Sequence, residues 1–177
     1  FSSTAALAGY SGIVSKCARL LGKSDESDIY ERLSKSTASA FHKAFFNVST
    51  SQYGEDTQTT PALALYFSLC PREDRSKVLE GMLANIQGKW KGHISAGILG
   101  AYFIPMSLMW SGRNDVVFQM VTAKGFPGWR HMIDSGSSTV WEAWDGSNSR
   151  NHPMLASVGS WFYQGLAGIR LAPDTAG

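Results

Sequence analysis

The amino-acid sequence predicts an all-α fold. Apolar residues recur every three or four positions along most of the 177-residue chain, whereas the alternating pattern of strands is almost absent. Apolar residues form 44% of the sequence and charged residues 17%, which is typical of a globular domain with its own core. Glycine and proline divide the chain into about seven helical segments.

Two helices form the predicted N-terminal hairpin. The first runs from about Ser3 to Leu21 and ends at Gly22, and the second follows a cap at Ser24 and ends near Asn47. The three-to-four spacing predicts these buried positions: Ala6, Tyr10, Ile13, Val14, Cys17, Leu20, Leu21, Ile29, Leu33, Phe41 and Phe45.

The middle of the chain predicts two more helices. A polar loop, "VSTSQYGEDTQTT", leads to a helix that Pro61 begins and Pro71 ends. We interpret this loop as a helix cap, in which Asp56, Thr57 or Thr59 satisfies free N–H groups at the start of the helix. The segment "REDRSKVLEGMLANI" continues as a helix with the buried positions Val78, Met82, Leu83 and Ile86.

The second half contains helices and one long irregular stretch. Helices are predicted over about Leu99–Trp110, Asn114–Ala123 and Met154–Ala167, with an irregular region from Gly125 to Pro153. Short loops join antiparallel neighbours, so the longer, polar loops are expected to gather at one end of the helices.

Charge and motif content exclude several classes of function. The net charge is +2 without a run of like charges, which argues against nucleic-acid and membrane partners, and the chain lacks the apolar run of about 20 residues that spans a bilayer. We expect a soluble protein of undecided compartment. The histidines and cysteines lack zinc-ligand spacing, so no metal or cofactor is predicted, and Cys17 and Cys70 are expected to be buried thiols.

The segment "TVWEAWDG" is the strongest candidate for chemistry. Glu142 lies between Trp141 and Trp144, and rings on both sides can desolvate a carboxyl, as acid/base catalysis requires. The alternative is a glutamate that caps a helix or pairs with an arginine. His152 follows in "RNH" and could donate a hydrogen bond to a hydroxyl, or could be an ordinary surface or core group. Trp129 fits a core ring or a sugar platform equally well.

The two ends of the sequence suggest a piece of a longer polypeptide. The chain starts at Phe1 and closes on "RLAPDTAG", so we expect residues 1–170 to form the helical domain and residues 171–177 to begin a linker.

Five blocks of sequence together resemble a known family. "YGEDTQTTPALALYFSLCPREDR", "HISAGILGAYFIPMSL", "GFPGWRHMIDSGSSTVWEAWDG", "SRNHPMLASVGSWFY" and "GLAGI" are similar, in this order, to the bacterial-type α-L-rhamnosidases of glycoside hydrolase family 78. The resemblance implies part of a six-hairpin (α/α)6 catalytic barrel, from its C-terminal half, and hydrolysis of terminal α-L-rhamnosides with inversion. The implied partners are a rhamnose-containing glycoside or polysaccharide and the upstream barrel half of the same polypeptide.

The resemblance also implies roles for single residues. Glu142 takes the position of the catalytic base, His152 that of a histidine that contacts rhamnose, and Trp141 and Trp144 would wall the sugar site. The sequence departs from the family at Ala143, where a basic residue is common, and in a shorter connection from Gly146 to Arg150.

The general acid is absent from the segment that resembles the family. An inverting hydrolase needs two carboxyl groups about 6.5–9.5 Å apart, one to protonate the leaving oxygen and one to deprotonate water. The family's acid lies upstream of this segment, and Asp134 and Asp145 are the possible substitutes within it. We therefore expect the isolated chain to be inactive.

Three alternatives remain open on the sequence alone. The chain could be a non-catalytic carbohydrate-binding helical domain, a six-hairpin glycosidase for another sugar, or a structural domain whose tryptophans are core residues.

Overall fold

The computed structural model describes residues 1–54 and 57–170. These residues divide into two compact units, Phe1–Leu83 and the part that begins at Ala84. The predicted linker 171–177 and the proposed cap Asp56 lie outside the described residues. The fold is almost entirely helical, which confirms the predicted all-α class.

The first unit starts with a long helical hairpin. Its elements are α1 Ser2–Leu20, α2 Ser24–Phe45, β1 Phe46–Asn47, β2 Gln52–Tyr53, α3 Thr59–Tyr66 and α4 Arg75–Ala84. Ser15 and Ser27 join α1 to α2 through their hydroxyls at 3.2 Å, and the Ser34 hydroxyl donates to the Ala8 carbonyl at 2.7 Å. The partner in α1 shifts from Ser15 to Ala8 as the partner in α2 advances from Ser27 to Ser34, so the two helices are antiparallel.

Small residues form the seam of this hairpin, and here the predicted buried face was wrong. The buried residues of α1 are Ala5, Ala8, Ser11, Ser15 and Ala18. Tyr10, Ile13, Val14, Leu20 and Leu21 are exposed, and so is Cys17. Alanine and serine allow close approach of the two helix backbones, and the serine hydroxyls find partners across the seam, so the bulky side chains face outward.

The second helix shows the same reversal. Phe41 is buried as predicted, whereas Ile29, Leu33 and Phe45 are each more than one-third exposed. Ser24 is the first helical residue, after Lys23, and does not act as the predicted side-chain cap.

The polar loop after α2 contains a short hairpin that the sequence did not predict. Phe46 pairs with Tyr53 and Asn47 with Gln52 in antiparallel register. The Asn47 carboxamide oxygen accepts from the amide and the hydroxyl of Ser49 at 3.0 and 2.6 Å, which closes the turn. Strands of two residues are too short to leave an alternating pattern.

Helices α3 and α4 agree with the sequence except at their ends. Pro61 lies in the first turn of α3 and not at its first position, and the helix stops at Tyr66, before Pro71. Thr57 accepts from the Thr59 amide at 3.2 Å, so the capping interpretation holds for Thr57. Val78, Met82 and Ile86 are buried as predicted, and Leu83 is partly exposed.

The second unit carries the segment with the candidate chemistry. Its elements are a π-helical turn Asn85–Lys89, α5 Ile98–Trp110, α6 Asn114–Thr122, α7 Trp129–Asp134, α8 Pro153–Ala156, α9 Gly159–Trp161 and a π-helical turn Phe162–Leu166. Helix α5 is the most deeply buried, and α6, α8 and α9 pack on it. None of the described helices combines the length and the apolar character needed to cross a bilayer.

Two elements of this unit differ from expectation. Helix α7 lies inside the region predicted to be irregular, because one and a half turns are too few for a periodic pattern. The predicted final helix is interrupted after Ala156. Gly165 lies against the Trp161 indole, and a Cβ at this position would collide with Trp161 Nε1. The indole N–H of Trp161 donates to the Asn114 carboxamide oxygen of α6 at 2.9 Å.

Candidate active site

The loop that connects α7 to α8 folds back on itself. The Glu142 amide donates to the Ser149 carbonyl at 2.8 Å, and the His152 amide donates to the Val140 carbonyl at 2.9 Å. The Thr139 hydroxyl donates to the Arg150 carbonyl. We call residues 139–152 the catalytic loop, after the role that the sequence predicts for Glu142; all four predicted site residues lie in this segment.

Trp141 anchors the catalytic loop to the unit. Its side chain is buried, and the backbone at Gly146 lies so close that an added Cβ would sit 3.1 Å from the Trp141 ring. Gly146 has φ +71°, a conformation that glycine adopts without strain. The Arg150 guanidinium lies 5.5 Å from the ring centroid and the His131 ring 6.4 Å. The indole is therefore enclosed by its own loop and by α7.

Glu142 is half-buried and is oriented by the opposite arm of the loop. Its Oε2 accepts a hydrogen bond from the Ser149 amide at 3.3 Å. Among the described residues, Oε1 has no hydrogen-bond partner and Glu142 forms no ion pair. Glu142 also lies outside the helices, so neither a helix cap nor an arginine pair accounts for it.

His152 caps the last helical segment with its side chain. The Met154 amide donates to His152 Nδ1 at 3.2 Å, and Pro153 takes the first helical position. A ring nitrogen that accepts cannot carry the proton, so in the neutral ring the proton is on Nε2. Among residues 1–54 and 57–170, no group accepts a hydrogen bond from Nε2–H, which is compatible with the hydroxyl contact expected from the sequence.

The two remaining tryptophans of the site hold the loop in place. Trp129 is buried, and its indole N–H donates to the Leu155 carbonyl at 2.8 Å, so it is a core ring and not a sugar platform. Trp144 is half-buried and donates to the Ala96 carbonyl at 2.6 Å. The two rings meet edge to face at 5.1 Å, which ties the catalytic loop to α7.

Comparison with known proteins identifies the family. The family described as bacterial alpha-L-rhamnosidase 6 hairpin glycosidase domain matches residues 2–166. The chain belongs to this family. The structure is thus a part of an (α/α)6 barrel, in agreement with the sequence-based prediction.

Individual relatives support the same assignment. An α-L-rhamnosidase of Formosa agariphila is 32% identical over 98% of this chain. The α-L-rhamnosidase of Streptomyces avermitilis complexed with L-rhamnose superposes with a TM-score of 0.88 and 32% identity over 98% of the chain, and that of Dictyoglumus thermophilum with 0.82 and 34% over 87%. The chain spans 20% of the Formosa protein and 17–18% of the two solved chains.

The two acids that the sequence offers as substitutes for a general acid have other partners. Asp134 forms an ion pair with Arg130 at 2.7 Å, one turn away in α7. The hydroxyl and the amide of Ser147 donate to Asp145 and hold the pKa of this exposed carboxyl below its ordinary value. A lowered pKa keeps a carboxyl ionised at neutral pH, which is the wrong state for a general acid.

Three residues of the site were missed by sequence analysis. Gly146, Ser149 and Arg150 contact Trp141 or Glu142 across the catalytic loop. In the sequence, Gly146 and Arg150 stand four and eight positions after Glu142. This spacing, like the place of Ser149, indicates a contact only when the pairing of the two arms is known. Within residues 1–54 and 57–170, no group of three or more histidine, cysteine or acidic side chains could hold a metal ion.

Proposed function

We propose that this chain supplies the catalytic base and part of the sugar site of an α-L-rhamnoside hydrolase. Membership of the α-L-rhamnosidase family supports this function. The observation that carries it is the Glu142 carboxylate, which is half-buried, tethered through Oε2 to the Ser149 amide, and without a partner at Oε1.

The reaction is a single displacement with inversion. Glu142 takes a proton from water through Oε1, and the water oxygen forms a bond to the anomeric carbon of rhamnose. The bond from that carbon to the leaving oxygen breaks, and a second carboxyl group protonates this oxygen. The tether at Oε2 holds the base in one orientation, which favours proton transfer along a defined line.

His152 and the tryptophans bind the sugar in this proposal. The Nε2–H of His152 donates to a rhamnose hydroxyl, since Nδ1 is occupied by the Met154 amide. Trp144, which is half-buried, presents its ring to the sugar as the aromatic wall, and the buried Trp141 supports this wall from within the loop.

The general acid belongs to the upstream barrel half of the same polypeptide. The ion pair of Asp134 and the lowered pKa of Asp145 favour an acid from elsewhere. We therefore place residues 1–170 in the C-terminal portion of a catalytic barrel, with residues 171–177 as the start of a linker. The exposed apolar face of α1 suits packing against further barrel helices.

The test is an assay of p-nitrophenyl α-L-rhamnoside with this chain alone and with the full-length parent polypeptide. We expect hydrolysis by the parent only, and nuclear magnetic resonance of the first sugar released should show the β-anomer. Activity of this chain alone would return Asp134 and Asp145 to consideration. If neither the chain nor the parent hydrolyses the substrate but rhamnose still binds, the alternative of a non-catalytic carbohydrate-binding domain is favoured. Activity of the parent on other glycosides would favour a six-hairpin glycosidase for another sugar.

A further inference from the structure

A surface cleft of about 860 Å³ lies at the end of helix α5. Two aromatic residues, one aliphatic residue and three polar residues line it: Trp110, Tyr163, Ile169, Ser160, Gln164 and Arg170. Helix α5 has 13 residues, and a rise of about 1.5 Å per residue makes it about 18 Å long. Trp144 of the catalytic loop is anchored at Ala96, before α5 begins, whereas Trp110 is the last residue of α5. The cleft and this anchor therefore lie at opposite ends of the helix.

Both aromatic rings of the cleft are open to solvent. Trp110 is 56% and Tyr163 67% exposed. The other five tryptophans, which all lie in the described part of the chain, are buried or partly buried. An exposed indole leaves apolar ring area in water, and a ligand with a flat apolar face removes this unfavourable contact. The C–H face of a pyranose ring is such a face.

The polar side chains of the cleft are available to a ligand. Within residues 1–54 and 57–170, the hydroxyls of Ser160 and Tyr163 and the carboxamide of Gln164 form no hydrogen bond. Each of these groups can donate and accept, which matches the hydroxyls of a sugar. The Ile169 amide donates to the Tyr163 carbonyl at 2.9 Å, and the Arg170 guanidinium lies 5.7 Å from the centroid of the Trp110 ring. One side of the cleft is thus closed by a group that only donates.

This lining suits binding without reaction. The cleft has no carboxyl, imidazole or thiol group among its lining residues, whereas hydrolysis of a glycoside needs two carboxyl groups. We propose that the cleft is a carbohydrate-binding site separate from the catalytic loop, which holds one sugar residue of a polysaccharide away from the bond that is cleaved. Trp110 and Tyr163 stack on this sugar, and Gln164 binds its hydroxyls. The site goes beyond the proposed function, and only the choice of a rhamnose polysaccharide as its ligand rests on that function.

The experiment measures polysaccharide binding and turnover separately in the parent polypeptide. The variants are W110A, Y163A and W110F, and F118A is the control, because Phe118 is 52% exposed on α6 and does not line the cleft. Affinity electrophoresis with a rhamnan, a polysaccharide of neutral rhamnose residues, gives the dissociation constant. We expect it to rise about three- to tenfold in W110A and in Y163A, which each lose a stacking ring, and to change little in W110F and F118A. The kcat/KM for p-nitrophenyl α-L-rhamnoside should stay unchanged in all four variants.

Three results would overturn the inference. An unchanged dissociation constant in both W110A and Y163A means that the cleft does not bind the polysaccharide. A matching loss of kcat/KM on p-nitrophenyl α-L-rhamnoside means that the cleft only supports the catalytic loop. A lower thermal midpoint of W110A and Y163A, without weaker binding, means that another part of the polypeptide packs there.

The proposed function can fail independently of this site. If the parent does not hydrolyse p-nitrophenyl α-L-rhamnoside, the proposed function fails by itself. Electrophoresis with the rhamnan still decides the role of the cleft, since weaker binding in W110A and Y163A but not in F118A would support it, and equal binding by all of these proteins would refute it.

Discussion

The Glu142 carboxylate accepts the Ser149 amide across the catalytic loop, while the Glu142 amide donates to the Ser149 carbonyl. This reciprocal pairing orients a carboxylate by backbone groups alone. No side chain competes for Oε1 among the described residues, so the oxygen that would face water is set by the path of the loop.

Replacement of Glu142, the proposed base, by its amide should abolish most turnover. In the parent polypeptide, E142Q is expected to lower kcat by about 10²–10⁴-fold, because a general base typically contributes this factor, with little change in the binding of rhamnose. Steady-state kinetics with p-nitrophenyl α-L-rhamnoside and a rhamnose titration provide the measurement. D145N is the matched control on the same loop and should retain most of kcat; an equal loss in D145N would remove Glu142 from its assigned role.

His152 caps α8, and two variants can separate this cap from the proposed binding of rhamnose. Asparagine is a good N-cap but lacks a donor at the Nε2 position, so H152N should keep the thermal midpoint and raise KM by about tenfold. H152A loses the cap as well, which costs about 1 kcal/mol of stability. Thermal unfolding and KM are measured together. A KM that rises only in H152A would assign His152 to capping alone.

Gly146 supports Trp141 by close contact as well as by its backbone conformation. G146A introduces a Cβ at 3.1 Å from the Trp141 ring at φ +71°, whereas G136A has φ +78° and nothing within 4 Å. The positive φ costs each variant about 1–2 kcal/mol, and the crowded ring adds about 1–3 kcal/mol in G146A. Urea unfolding of both variants gives the difference. Equal destabilisation would show that the loop moves away from the ring without cost.

Burial of Tyr53 makes the first unit sensitive to alkaline pH. Burial raises the pKa of the Tyr53 phenol above the ordinary 10.0, and burial likewise raises the pKa of the Cys70 thiol above 9.0. The folded state therefore binds these protons more tightly than the unfolded state, and the free energy of unfolding is full below about pH 9 and falls as pH rises further. Denaturant titrations between pH 8 and 11 measure this slope.

Matched variants assign the alkaline effect. The Tyr53 hydroxyl lies 2.6 Å from His42 Nδ1, so Y53F loses one hydrogen bond at every pH but should show a shallower decline above pH 10. C70A should flatten the decline that begins near pH 9. Parallel curves for all three proteins would place the alkaline sensitivity in other groups.

The hairpin α1–α2 shows what periodicity can and cannot predict. The helix bounds were predictable to within about two residues, because three-to-four spacing defines a helix regardless of which side is buried. The buried side was not. Two sets of residues in α1 follow helical spacing: the buried Ala5, Ala8 and Ala18, and the exposed Tyr10, Ile13 and Val14. The larger side chains of the second set dominate the hydrophobic pattern of the sequence. Backbone approach along a small-residue seam becomes visible only in three dimensions.

The candidate site shows a similar division. The sequence indicates Glu142 and its flanking tryptophans as candidates because they are adjacent in sequence, and it indicates His152 because a proline follows it. The partners Ser149 and Arg150 depend on which residues of two loop arms meet, and the loop has no periodic pattern to indicate that register. The core position of Trp129 depends on the Leu155 carbonyl, 26 residues away, which receives its indole N–H.

The outward side of α1 has a practical consequence for handling the purified chain. Leu20 is 85% and Ile13 54% exposed, and Leu7 and Tyr10 extend the same surface. Apolar patches of this kind cause colloidal association, so light scattering should grow with protein concentration and an environment-sensitive dye should bind. The double variant I13K/L20K should have a higher solubility limit and an unchanged melting curve, because the side chains of Ile13 and Leu20 do not enter the seam of alanine and serine residues.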